Sequence, residues 1–297
     1  MSDQPHRIEV AAPTVRLSAL TWGPDRGPIA LCLHGFPDTA HGYRKLAPAL
    51  VAAGYRVVAP FLRGYWPSSL PSDRAYHLGA LMHDALQVLA ACGPTGADVV
   101  IGHDWGAIAA TGLAAMPDSP FRTAVVMSVP PAAALRPLPA GAVRLLPAQL
   151  VRSWYIGYFQ LPLLPERSSR WIVPLLWRRW SPGYDAAEDL SHVESAIGAP
   201  ERWHAALGPY RATIRNHRPP ARYADLHRWW TERPRVPTLY LHGAGDGCMT
   251  ADLTAYVHAA LPDRSAVATV PGAGHFLQLE QPGRVGRSIA DFLAGVT

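Results

Sequence analysis

The pentapeptide Gly102-His103-Asp104-Trp105-Gly106 constrains the fold more than any other stretch of this 297-residue chain. It stands between a short apolar run over 98–102, of the kind that forms a buried strand, and a small-residue segment over 105–116 with helical character. A glycine on each side of a polar residue at such a junction marks a turn too sharp to admit neighbouring Cβ atoms. The central side chain is thereby pushed out at the carboxyl end of a sheet. It also lies at a helix N-terminus, where the dipole favours an anion. Here that side chain is the carboxylate of Asp104.

Strand and helix signals alternate around this turn. Strands are expected over 28–34, 55–60, 98–102 and 121–129, and helices over 43–53 (closed by Gly54), 77–91 and 105–116. That alternation predicts an α/β fold built on a parallel sheet with right-handed helical crossovers. From about residue 130 to 234 it stops. Prolines are frequent there, seven of the ten tryptophans fall there, and helices are expected over 142–159, 170–180, 187–196 and 201–214. Strands return at 237–242 and 266–270, with helices at 251–260 and 281–293. The simplest organisation is a core made of residues 1–135 and 235–297, interrupted by a helical insertion over 136–234. An insertion at a strand end lies where such sheets bind ligands.

Two more glycine-flanked segments each place one polar residue just past a strand. They are His242-Gly243-Ala244-Gly245-Asp246 and Gly272-Ala273-Gly274-His275-Phe276. The order along the chain is nucleophile, acid, histidine. A carboxylate of pKa ~3.9 is ionised at neutral pH and needs no base to activate it. Attack on an acyl carbon would yield an anhydride, so Asp104 suits a saturated carbon bearing a leaving group, as in an epoxide or alkyl halide. The resulting ester must be hydrolysed. His275 would take a proton from water while Asp246 fixes its tautomer. Backbone N–H groups of Trp105 and of Phe36, within His34-Gly35-Phe36-Pro37, would hold the oxyanion. His103 is expected to pack behind the turn.

These residues resemble the α/β-hydrolase-fold epoxide hydrolases and their relatives, the haloalkane dehalogenases. The resemblance covers nearly the whole chain: H-G-F-P at 34–37, L-R-G-Y at 62–65, G-H-D-W-G at 102–106, Asp246, and G-H-F at 274–276. It implies an eight-stranded, mostly parallel sheet flanked by helices, with a helical cap inserted after the sixth strand. It also implies two cap tyrosines that hold the epoxide oxygen. The segments W-Y-I-G-Y-F-Q at 154–160 and A-L-G-P-Y-R at 206–211 match that pattern and give Tyr155 and Tyr210, with Tyr158 as the alternative to Tyr155. Phenols of pKa ~10 can donate a proton to an opening alkoxide. His34, Pro37, Trp105, Trp154, Tyr158 and Phe276 are expected to line the pocket. The implied reaction converts a small apolar or aromatic epoxide to a vicinal diol. The chain departs from the family at Trp66, where many relatives have glycine after the tyrosine, and at Gly208-Pro209, where asparagine often precedes the second tyrosine. A haloalkane dehalogenase would use the same triad, turn the Trp105 indole N–H to the halide and leave the tyrosines idle. A non-catalytic ligand-binding protein would have lost a catalytic residue, and every one is present.

Composition narrows the remaining classes. At 49% hydrophobic and 16% charged residues the chain is not disordered. Its apolar runs fall short of the ~18 residues of a membrane-spanning helix. Three cysteines (Cys32, Cys92, Cys248) make no disulfide framework, and Met1 to Arg7 lacks an apolar signal region. A cytoplasmic monomer or homodimer is expected. The net charge of +5 is concentrated over 136–235, which holds 15 arginines against 8 acidic residues. Those arginines are scattered and no nucleic-acid motif accompanies them, so a solvated face is expected, with no nucleic-acid or membrane partner. No H-E-x-x-H, paired C-x-x-C or phosphate-binding loop occurs, so neither metal nor cofactor is expected.

Overall fold

In the computed structural model, which describes residues 4–215 and 218–296, one sheet runs in the order β1-β2-β4-β3-β5-β6-β7-β8. β1 (His6–Ala12) and β2 (Val15–Trp22) form an antiparallel hairpin, and β2 also runs antiparallel to β4 (Arg56–Pro60). From β4 onward the sheet is parallel, through β3 (Ile29–Leu33), β5 (Val99–His103), β6 (Thr123–Met127), β7 (Thr238–Gly243) and β8 (Ala266–Val270). β3, β5 and β6 are buried along their whole length, so they read as unbroken apolar runs. The hairpin precedes the first strand visible in the pattern. Its outer strand β1 is the sheet edge, mostly exposed or half-buried, and carries no such run.

α1 (Ala47–Ala52) belongs to one helical layer. α2 (Leu78–Cys92) and α3 (Trp105–Ala115) pack together against the sheet in another. After β6 the chain builds α4 (Leu146–Arg152), α5 (Trp154–Tyr158), α6 (Ser169–Trp180), α7 (Ala187–Ile197), α8 (Pro200–Ala206), α9 (Gly208–Ile214) and α10 (Ala221–His227). α10 and the 3₁₀ turn Arg228–Thr231 lie back against α2 and α3 of the core. The chain ends with α11 (Leu277–Glu280) and α12 (Pro282–Val296), and α12 packs on α1.

Proline accounts for several differences from the expected helices. The 201–214 helix breaks at Leu207, because Pro209 has no N–H for the Ala205 carbonyl and its ring would collide with that group. The 142–159 helix is a 3₁₀ turn (Ala140–Leu145) followed by α4 and α5, with Pro147 in the first turn of α4 and Ser153 interrupting the rest. The 43–53 helix shortens to α1, which has Pro48 in its first turn and follows the 3₁₀ turn Ala40–Tyr43. The 251–260 segment is two 3₁₀ turns, Ala251–Tyr256 and His258–Ala260.

The inserted helices are tied to the core through the end of α6. The Trp177 indole N–H donates to the Pro37 carbonyl at 2.8 Å, and its ring stacks on Phe276 with centroids 3.6 Å apart. The Trp180 carbonyl accepts from the N–H groups of both Gly247 and His275, at 3.1 and 3.0 Å. Trp177, Trp180 and Trp203 are fully buried. A buried ring of this kind removes about 150–250 Å² from water, worth several kcal/mol at about 25 cal/mol/Å². These tryptophans fasten the insertion to the sheet. Close by, Arg44 pairs with Glu188 and Asp189 of α7, and Tyr184, stacked on Trp177, donates to Asp189. Among the described residues no helix is long and apolar enough to cross a membrane.

Candidate active site

Asp104 stands at the end of β5 with φ +53° and ψ −118°, a conformation that costs a non-glycine residue energy. The flanking glycines explain how it is held. A Cβ on Gly102 would collide with the Gly106 carbonyl, and one on Gly106 with the Leu33 carbonyl of β3. The strained turn therefore lies wedged between two neighbouring parallel strands, at the point where the chain switches direction across the sheet.

The carboxylate points into the loop after β3. Its Oδ1 accepts from the Phe36 N–H at 2.7 Å, and the Trp105 N–H also bonds to it. Gly35 is obligatory here, because a Cβ at that position would occupy the space of the carboxylate. Burial pushes the Asp104 carboxyl above its ordinary range, while His275 and the two N–H groups pull it back part of the way.

His275 lies on the other side, with Nε2 at 3.8 Å from Asp104 Oδ2 and no hydrogen-bond partner among the described residues. Its Nδ1 is 2.9 Å from Asp246 Oδ2, which fixes the tautomer with the free lone pair toward Asp104. Asp246 Oδ1 in turn accepts from the N–H groups of Cys248 and Met249, at 2.6 and 3.0 Å. Burial alone would depress the His275 pKa. The Asp246 and Asp104 charges and the Asp246 hydrogen bond outweigh it, and the net shift is upward. His103 packs behind the turn, its Nε2 donating to the His275 carbonyl at 2.9 Å, and burial holds its pKa far down.

Tyr155 and Tyr210 approach each other across a cavity of about 220 Å³ whose floor is Asp104 and Trp105. Their rings meet edge to face at 5.8 Å, and Tyr210 also meets Trp105 at 4.9 Å. The Trp105 indole bears on the Tyr210 hydroxyl, and among the described residues neither group has another hydrogen-bond partner. The Tyr155 hydroxyl is 3.5 Å from the Cys248 thiol. Burial holds both phenols well above pKa 10, so they stay protonated.

Of the residues expected to line the pocket, Trp105 does so and the others face elsewhere. Both His34 nitrogens are occupied inside the protein, by the Gly35 carbonyl and the Leu62 N–H, and burial holds its pKa down to about 4. Pro37 receives Trp177, and Phe276 lies beneath the Trp177 ring. Trp154 and Tyr158 pack on each other on the outer side of α5, where Arg179 covers Trp154. None of the seven tryptophans in the insertion lines the cavity. Ile108, Val129, Ile156, Ile214 and Met249 make its apolar wall, and Gln149, Ser153 and Thr213 add polar groups. No motif marks these residues, though Cys248, two positions after Asp246, could have been placed by proximity. A larger groove of about 610 Å³ between the 70–77 loop and α8–α9 shares no lining residue with this cavity and holds none of the triad.

A family model described as alpha/beta hydrolase fold matches residues 28–282. Epoxide hydrolase A of Mycobacterium tuberculosis is 29% identical, with 95% of each chain covered. Epoxide hydrolase 3 of Xenopus tropicalis is 30% identical over 94% of this chain and 75% of its own. The crystal structure of epoxide hydrolase A from Mycobacterium thermoresistibile superimposes with a TM-score of 0.73 at 27% identity, covering 98% of this chain and 99% of that one.

Proposed function

Since the chain belongs to the epoxide hydrolases of the α/β-hydrolase fold, we propose that it opens epoxides through a covalent ester on Asp104. The observation that carries this reading is the placement of the Asp104 carboxylate. One oxygen is held by Phe36 N–H at 2.7 Å, the other lies 3.8 Å from an unpartnered His275 nitrogen, and two protonated tyrosines stand across the cavity.

In the first half-reaction an Asp104 oxygen attacks an epoxide carbon and the carbon–oxygen bond breaks. The departing alkoxide takes its proton from Tyr155 or Tyr210. In the second, His275 removes a proton from water and the hydroxide adds to the ester carbonyl. The tetrahedral oxyanion then lies where the Phe36 and Trp105 N–H groups already hold the resting carboxylate. Collapse expels the second alkoxide, which takes the imidazolium proton to complete the vicinal diol, and the proton left on the Asp104 carboxyl returns to the tyrosinate; Asp246 stabilises the imidazolium while it lasts. We assign the cap to the insertion within 136–234, with α4, α5 and α9 bearing the cavity side chains. The cavity equals the volume of about seven waters at about 30 Å³ each, which suits a compact apolar or aromatic epoxide.

His275→Ala tests the scheme. Mixed with an epoxide such as styrene oxide, the variant should gain the full substrate mass on Asp104, because water is no longer activated. Haloalkane dehalogenation is the second reading, favoured by the indole of Trp105 on the cavity floor beside Asp104. It predicts instead a gain of substrate mass less hydrogen halide. No adduct from either panel would sink both readings.

A further inference from the structure

One ligand atom each from Asp246, Cys248 and His275 lies within 4.8 Å of the other two, and all three side chains are buried. The reaction above employs Asp246 and His275 but gives Cys248 no step, although its side chain lines the cavity. His275 Nε2 adds a second, independent feature: a buried nitrogen without a hydrogen-bond partner, beside Asp104 at the cavity floor.

Thiolate, imidazole and carboxylate are the three side-chain donors that bind zinc, and the soft thiolate favours thiophilic metals. Around a tetrahedral ion with a metal–sulfur bond of about 2.3 Å and metal–nitrogen or –oxygen bonds of about 2.0–2.2 Å, ligand atoms stand roughly 3.3–3.6 Å apart. Asp246 Oδ2 and His275 Nδ1 are 2.9 Å apart, so a cation on that pair must open it by about 0.5 Å in place of its hydrogen bond, while ligand atoms standing as much as 4.8 Å apart must close by about 1 Å, within reach of small side-chain rotations.

We propose that Asp246, Cys248 and His275 form an inhibitory site for a thiophilic divalent cation, zinc or cadmium, entering through the substrate cavity. Coordination releases the thiol proton to solvent, and a cation on Nδ1 moves the proton shared with Asp246 to Nε2. The cation then draws on the imidazole and on the carboxylate that orients it, so His275 no longer activates water. The inhibition, though not the binding, rests on the reading of His275 as the base.

The test titrates cadmium chloride into the 297-residue protein, following the ultraviolet absorption of the cadmium–thiolate bond and diol formation in the same samples. The wild type should saturate at one cation per chain, lose turnover with the same midpoint, and recover both on adding EDTA. Cys248→Ala and the volume-conserving Cys248→Ser should lack the absorption. Their inhibition midpoint, each relative to its own untreated rate, should rise about 100-fold or more, since even groups behind a metal ligand are worth about 10–100-fold. The site is overturned by a wild type without the absorption, by an absorption that persists in Cys248→Ala, or by an unchanged midpoint in folded variants. Saturation with undiminished turnover would keep the site and count against His275 as the base, which separates the two failures.

Discussion

Gly35→Ala puts the surroundings of Asp104 under the most direct strain. The added Cβ would stand 2.5 Å from the Cβ of Asp104 and 2.7 Å from its Cγ, and closer still to Oδ1. Carbon atoms in ordinary contact keep about 3.5–4.0 Å, so the loop and the carboxylate must separate by about 1 Å. A shift of that size costs about 10²-fold when it misplaces a reacting group. The 2.7 Å bond from Phe36 N–H to Oδ1 lies in the path of the displacement, and loss of one oxyanion donor costs a similar factor. We expect kcat/KM to fall about 100-fold or more, while overpacking takes about 1–3 kcal/mol from stability and lowers Tm by a few degrees. Rapid-quench detection of the ester by intact mass, steady-state diol formation and thermal melting measure the three quantities. Gly157→Ala is the control. It lies within α5 with nothing near its would-be Cβ, so it should keep activity and hold or gain about 0.5–1 kcal/mol. A folded Gly35→Ala enzyme with near-normal kcat/KM would refute the close-approach reasoning.

Three further outcomes follow from the same geometry. Ester hydrolysis requires neutral His275, whose pKa is raised. The steady-state ester fraction of the wild type should therefore grow as pH falls through and somewhat above the ordinary imidazole value of ~6.5, and a fraction independent of pH there would contradict the assignment. Replacing both Tyr155 and Tyr210 by Phe should slow ester formation about 10²–10⁴-fold and spare hydrolysis of an ester already formed; equal losses in both steps would remove the tyrosines as acids. Asp38 is buried and pushed up to about 8, by desolvation above all. A raised acid binds its proton more tightly when folded, so its contribution is full below ~4 and is lost as pH climbs toward 8. Asp38→Asn should flatten Tm against pH across that window, and an unchanged slope would show that Asp38 is not the titrating group.

The features legible in the sequence are those where backbone sterics leave one choice. Gly102, Gly106 and Gly35 are visible because carbonyls or a carboxylate occupy the places of their Cβ atoms. β3, β5 and β6 are visible because both faces are buried. Direction of side chains is another matter. His34 and Pro37 flank Gly35-Phe36 in the chain and Phe276 follows His275, yet all three turn into the protein, because a loop has no fixed period from which to read orientation. The cavity wall came from Gln149, Ser153, Ile156 and Thr213, ordinary residues that acquire a role only when α4, α5 and α9 fold over Asp104. The edge strand β1 is illegible for the converse reason, since its exposure dilutes its apolar pattern.

The two bonds received by the Trp180 carbonyl bear on how such enzymes can be re-engineered. That single oxygen anchors the loop of Asp246 through Gly247 and the loop of His275 through its own amide. Transplanting an entire foreign roof to alter substrate scope would therefore withdraw a strut from beneath both loops. A chimera that retains residues 177–181 and exchanges only α4, α5 and α9 would swap the recognising wall while leaving that strut in place.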